Sequence, residues 1–172
     1  MTCIFLCRHC ETSTCVRGRC HGRLDAGLSS RGRRQAVQLA ETLAGEGLAA
    51  VYTSPLRRAR ETAKAVAERH GLAPISVDGL SEIDLGQFEG LTYEEAERQF
   101  PEVYRLWMAQ PLRVRFPGGE DYDVLRRRAA VAIDEIGRCH PEEAVAVVTH
   151  AGPLRTLGIE LAYGCVTAIS RS

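Results

Sequence analysis

The chain has no net charge. Twenty-two Lys and Arg balance 22 Asp and Glu, which removes any global electrostatic case for nucleic acid or an acidic membrane surface. It has no apolar run of membrane-spanning length. No basic segment precedes its first short apolar run and no cleavage-site pattern follows it, so no signal peptide is expected and a cytoplasmic protein follows by default. Internal repeats, linkers and low-complexity tracts are also missing. The 172 residues, 45% apolar and 26% charged, are therefore expected to form one domain with an ordinary core. A disulfide framework has little support. The seven cysteines are an odd number; five (Cys3, Cys7, Cys10, Cys15, Cys20) fall in the first twenty residues, and neighbours on one strand are poorly placed to pair. Reduced thiols are the simplest expectation.

Apolar runs alternate with helical patterns. Strands are predicted at 3–7, 49–53, 74–77, 144–149 and 164–169. Helices are predicted over about 30–45 and 120–139, after Ser54-Pro55 as an N-cap with proline at the first helical position, and from about Pro153. The segment from Gly79 to Gly119 breaks the alternation. Thr92-Tyr93-Glu94-Glu95 reads as a capping box, Pro101 opens a further helix, and the stretch reads as an insertion over one sheet edge, a lid. Phe100, Tyr104 and Trp107 sit at helical spacing there, and are expected to fasten the insertion to the domain rather than stack on a ligand. Alternating β and α argues an α/β fold, three layers with a mostly parallel sheet and helices on both faces.

Two of the runs end on histidine. Cys3–Cys7 leads into Arg8-His9, and Val145–Thr149 leads into His150. Open α/β sheets bind ligands outside the carboxyl ends of their strands, so one sheet can bring the two histidines together across 140 positions. Arg8 offers a donor fork suited to phosphate oxygens, and a neutral imidazole beside it can attack phosphorus. Arg57 and Arg58 follow the second strand at the start of a helix, at the same sheet edge, where the helix dipole adds positive charge. Arg17, Arg19 and Arg23 thicken the basic character after the first strand. Phosphoryl transfer needs alignment and charge stabilisation, and this set supplies both. Glu82, in the loop after the third strand, is the candidate acid for the leaving oxygen. His70 and His140, before a helix-ending glycine and a proline, read as ordinary C-terminal helix residues.

On these motifs the chain resembles the histidine phosphatase superfamily, also called phosphoglycerate mutase-like. The matching stretches are Leu6–Thr12, Gly18-Arg19 with Gly22–Leu28, Gly32 with Gln35-Ala36, Ser54-Pro55-Leu56 with Arg58-Ala59 and Thr62-Ala63, Glu82–Gly90, Pro117–Glu120 and Thr149–Gly152. The resemblance implies that His9 is the phosphorylated nucleophile, that Arg8, Arg58 and His150 bind the phosphoryl group, and that Glu82 is general acid and then base. By motif position His21, Gly22 and Ala151 line the substrate pocket. Motif spacing favours Arg58 over Arg57. No metal or organic cofactor is implied. The expected partner is a small phosphorylated metabolite, with neither nucleic acid nor membrane, and a homodimer is left open.

Glu82–Gly90 and the short insertion lean to the phosphatase branch over mutase-type transfer. Phe116–Glu120 and Tyr163–Val166 resemble α-ribazole phosphatases of cobalamin synthesis. Three positions depart from the pattern: Cys10 stands where glycine is usual, Cys15 where asparagine is frequent, His21 where glutamine or a small polar residue is usual. The chain between Ile159 and Tyr163 and after Val166 is also short, so a trimmed sheet edge is expected. These departures keep a phosphate-binding domain without turnover as an alternative. A rival from another class is an iron–sulfur protein, because Cys3-x3-Cys7-x2-Cys10 matches the spacing of radical enzymes that use S-adenosylmethionine. Against it, Cys3 and Cys7 fall in a predicted buried strand, and cluster ligands need a loop to converge.

Overall fold

The computed structural model describes residues 1–13 and 18–171. Five strands form one sheet: β1 (Thr2–Arg8), β2 (Ala50–Thr53), β3 (Pro74–Ser76), β4 (Ala144–Thr149) and β5 (Val166–Arg171). Their order is β3-β2-β4-β1-β5. The β3–β2, β2–β4 and β4–β1 pairs are parallel, and β5 alone runs antiparallel, against β1. The α/β expectation with a mostly parallel sheet holds.

Strand alternation sorts the apolar runs to two faces. Cys7, Val51, Ala146 and Val148 pack under α1 (Ser30–Thr42) and α2 (Arg57–Arg69), against Leu39, Leu43, Ala63 and Val66. Ile4, Leu6, Val145 and Val147 face the other way. They meet Ala132, Ile133 and Ile136 of α5 (Tyr122–Cys139) and Leu154 of α6 (Ala151–Thr156). Both faces are covered, so the central strands read as continuous hydrophobic runs.

The insertion carries α3 (Tyr93–Gln99) and α4 (Pro101–Ala109). The expected capping box is present: Thr92 Oγ1 accepts from Glu95 N at 3.1 Å, and Glu95 Oε2 from Thr92 N at 2.8 Å. A separate apolar cluster holds the insertion together. The Phe88 ring lies 4.9 Å from that of Phe100 and 5.3 Å from that of Phe116, and Trp107 meets Phe116 edge-on at 5.3 Å. Through Tyr122 and Leu125 of α5 the same cluster joins the insertion to the domain, while Trp107 also faces a cleft.

Three boundaries differ from expectation. Helix α2 opens at Arg57, not at Pro55, and Ser54 is not its cap. Asp25 Oδ1, arriving from a distant loop, takes the first helical N–H, of Arg57, at 2.6 Å. Helix α6 opens at Ala151, two residues before Pro153; a proline in the first turn costs no intrahelical hydrogen bond. Strand β5 begins at Val166 because Gly164, at φ 70°, completes a turn first.

Candidate active site

Strand register builds the site. Arg8 of β1 is level with Thr149 of β4, and His9 N donates to Thr149 O at 2.9 Å. The next residues, His9 and His150, therefore leave the sheet side by side, with ring centroids 5.0 Å apart. Ser54 follows β2 at the same level, its N–H on Val148 O at 3.0 Å. Arg58, one turn later, is 1% exposed. Its Nη1 and Nη2 donate to Leu24 O and Gly22 O, both at 2.7 Å. Gly22 is required here: at φ 41° any Cβ would collide with the Glu89 carboxylate, and that carboxylate anchors the loop through Arg23 N at 2.7 Å.

His9 is held in one tautomer. Its Nδ1 lies 2.8 Å from Cys10 O. A carbonyl only accepts, so Nδ1 carries the proton and Nε2 keeps its lone pair. Burial, then the neighbouring Arg58, pushes the His9 pKa well below 6.5. The ring is neutral at pH 7 and its free nitrogen is nucleophilic. Thr62 secures the following peptide: its Oγ1 accepts from Cys10 N at 3.0 Å and donates to Arg58 O at 2.8 Å. Cys10 itself is buried, and its thiol is pushed up to about 11. It serves as a small apolar filler, not as a thiolate.

His150 Nε2 shares a 2.7 Å hydrogen bond with Ser54 Oγ. Burial and Arg58 hold its pKa well below 6.5 as well. Arg8 spans the other side. Its Nη1 donates to Leu161 O at 2.8 Å, and its guanidinium lies 4.0 Å over the Tyr163 ring, which in turn is 5.4 Å from the His9 ring. His21 is neutral too, lowered to about 4 by burial and Arg58.

Glu82 reaches the site from the far side. Its Oε1 accepts from Ile83 N at 2.9 Å and Gly152 N at 3.1 Å. A Cβ at Gly152 would collide with that same oxygen, so a larger residue there would displace the Glu82 carboxyl. Burial raises the Glu82 pKa, against the opposing pull of these two N–H groups and of Arg58 and Arg8. Together with Ala151 and His21, it lines a cleft of about 390 Å³.

Four of the six buried side-chain polar atoms without a partner among the described residues belong to this constellation: Arg8 Nε, Arg58 Nε, His21 Nε2 and His150 Nδ1. Each such orphan costs roughly 1–3 kcal/mol of desolvation. They concentrate around the His9 ring, where an anion would satisfy the two guanidinium N–H groups. No group of three or more His, Cys, Asp and Glu that could hold a metal occurs among the described residues. Cys3 and Cys7 lie along β1. Cys15 and Arg17 fall outside the described residues.

The sequence reading overlooked the device that aims Glu82. Arg128 of α5 donates to Gly79 O (2.9 Å), Ser81 O (2.7 Å) and Glu82 O (2.9 Å), and twice to Glu120, at 2.9 and 2.8 Å. Glu120 Oε2 also accepts from Asp84 N at 3.0 Å. The planar fork gathers the Glu82 loop from both ends. Arg128→Lys keeps the charge but loses that fork. It is expected to lower kcat about 10- to 100-fold through misplacement of Glu82, with KM little changed. Steady-state kinetics checks this; an equal rise in KM would make Arg128 a substrate contact. A charged residue on the inward face of a predicted helix was the available signal. Tyr163 and Thr62 were also missed as neighbours of the His9 segment, although both lie in quoted motifs.

Comparison with known proteins identifies the family and the fold. Residues 4–165 match the family described as "Histidine phosphatase superfamily (branch 1)". Phosphoserine phosphatase 1 of Hydrogenobacter thermophilus is 37% identical, over 96% of this chain and 82% of its own. The structure of YhfR from Bacillus stearothermophilus superposes with a TM-score of 0.93 at 31% identity, covering all of this chain and 92% of that one. The α-ribazole phosphatase of Shigella flexneri shares the fold, with a TM-score of 0.88 over 99% of this chain and 91% of that one, at 23% identity. With nearly its whole length matched and the two histidines at adjacent strand ends, the chain belongs to branch 1 of the histidine phosphatase superfamily.

Proposed function

We propose that the protein is a metal-independent phosphatase that hydrolyses small phosphomonoesters through a phosphohistidine on His9. The observation that carries this reading is the cradle of four unpartnered donors around a histidine whose Nε2 lone pair is free. His9 Nε2 attacks phosphorus in line with the leaving oxygen. Arg8 and Arg58 neutralise the equatorial oxygens, as a metal ion does elsewhere. With Ser54 Oγ donating to His150 Nε2, the His150 proton sits on Nδ1 and adds a neutral donor. His21 adds another. Glu82, protonated, gives its proton to the departing alkoxide. Ionised, it then takes one from the water that attacks the phosphohistidine, which frees His9 and releases inorganic phosphate. The 79–119 insertion, with Tyr93 and Trp107 on the cleft wall, acts as the lid that limits water.

For the substrate, the α-ribazole 5′-phosphate reading rests on the resemblance of Phe116–Glu120 and Tyr163–Val166. Phosphoserine enters through the Hydrogenobacter relative.

Excess chelator is expected to leave the rate on a generic phosphomonoester unchanged, because arginine and histidine carry the charge stabilisation. Inhibition reversed by Mg²⁺ overturns the mechanism. Absence of turnover with intact phosphate binding favours the domain that binds without catalysis. Phosphate returned to a second hydroxyl rather than to water indicates a mutase.

A further inference from the structure

We infer that the substrate extends beyond the reaction cleft into an apolar annex on the insertion, and that it is a phosphomonoester whose alcohol carries an apolar ring system. This rests on the phosphatase reading above. A second cavity of about 830 Å³ opens beside the 390 Å³ cleft, and Tyr93, Trp107 and Arg155 line both. The other walls are Tyr104, Met108, Pro111 and Leu112, with Gln110, Arg113 and Glu160 as their polar members. Tyr93, Met108 and Leu112 are 45%, 53% and 52% exposed. Scattered exposed apolar side chains need no explanation, but a contiguous group beside a site does.

The walls are also preformed. Trp107 is wedged edge-on against Phe88 at 6.0 Å and Phe116 at 5.3 Å, and Tyr104 meets Trp107 at 6.5 Å. The rings that face the annex are fixed by those that face the core, so binding needs little ordering. A leaving group of three carbons would fill neither cavity. Cavities of these sizes lie within the range that takes drug-sized ligands. The cleft reaches His9 through Tyr163 on its wall, whose ring lies 5.4 Å from that of His9, and it shares Trp107 with the annex, so one molecule can hold its phosphate beside His9 and its ring against Trp107. A separate partner docked on the annex alone would leave that continuity without use.

The test compares substrates with the same leaving-group basicity. Ethyl phosphate and 2-(2-naphthyl)ethyl phosphate are both primary alkyl esters. The naphthyl ester is expected to have a kcat/KM at least about 50-fold higher, from burial of its rings. The double variant Met108→Glu with Leu112→Glu should reduce that ratio at least tenfold. The corresponding phosphonates, titrated by calorimetry, should show the same preference without turnover. Discriminated phosphonates without hydrolysis of either ester would leave the annex standing and overturn the phosphatase reading. Turnover of both esters at similar kcat/KM, with equal phosphonate affinities, would overturn the annex alone. So would a dimer that the double variant splits, by light scattering, while the substrate ratio stays as it was; the patch would then join two copies of the chain.

Discussion

His9→Ala is expected to abolish turnover, by about 10⁴-fold or more, because in the proposed mechanism both half-reactions depend on the His9 imidazole as nucleophile. The fold should survive. The ring is buried, but its hydrogen bond is to the adjacent Cys10 carbonyl, and its removal leaves no distant partner unpaired. The arginines remain, so the variant should still bind inorganic phosphate, and calorimetry can show this. Rapid quench of the unaltered enzyme should find phosphate on His9 as an acid-labile, alkali-stable adduct. An adduct stable to acid and labile to alkali would move the chemistry to a carboxylate or a thiol. Cys10 is the adjacent thiol, but its pKa of about 11 leaves little thiolate at neutral pH.

Glu82→Gln carries the second large effect, and its size should depend on the leaving group. The amide keeps an oxygen for Ile83 N and Gly152 N, so the local structure persists, but it has no proton to give. Alkyl phosphates, whose alkoxides need that proton, should lose about 10²–10⁴-fold in phosphoenzyme formation. Phosphoenzyme formation from p-nitrophenyl phosphate should lose much less. If both substrates suffer equally in single-turnover phosphorylation, Glu82 is not the acid, and Asp84 is the next candidate.

The pH profile follows from the same groups. Burial raises Glu82 above the usual carboxylate value. The acid form is therefore present in weak acid and is lost as pH rises through that raised value, so the alkaline side of the profile falls first. His9 is lowered well below 6.5 by burial and Arg58, so the free enzyme keeps a neutral nucleophile until the pH falls well under 6.5. Activity on alkyl phosphates should fall as pH rises through the raised Glu82 value, and Glu82→Gln should flatten that alkaline limb. An alkaline limb unchanged in Glu82→Gln would assign that ionisation elsewhere.

Local sequence carried a large share of this. The continuous runs 3–7 and 144–149 marked central strands because helices cover both faces of the sheet. Thr92 and Glu95 marked a helix start because the capping box is closed within four residues. The motif order led to the family, and the residues it singled out, His9, Arg58, Glu82 and His150, lie together in the structure. Ser54 misled for a clear reason. A serine before a proline is an ordinary helix opening, but here Ser54 Oγ accepts from Leu56 N at 3.2 Å, one residue ahead of the helix, and Asp25, from a distant loop, takes the first helical N–H.

What sequence by itself determined is whatever depends on near neighbours or on a rule of topology: the alternation of elements, their caps, and the gathering of chemistry at the carboxyl edge of a parallel sheet. Tertiary structure alone decided the rest. It decided that β4 lies between β1 and β2, so that Arg8 and Thr149 share a level and the two histidines meet. It decided that Arg128 gathers the Glu82 loop from α5, and that Trp107 turns one edge to the core while lining both cavities. The physical reason is common to all three. Hydrogen-bond register, guanidinium reach and ring packing act between residues close in space, and no spacing along a chain encodes which distant segments the closed core will bring together.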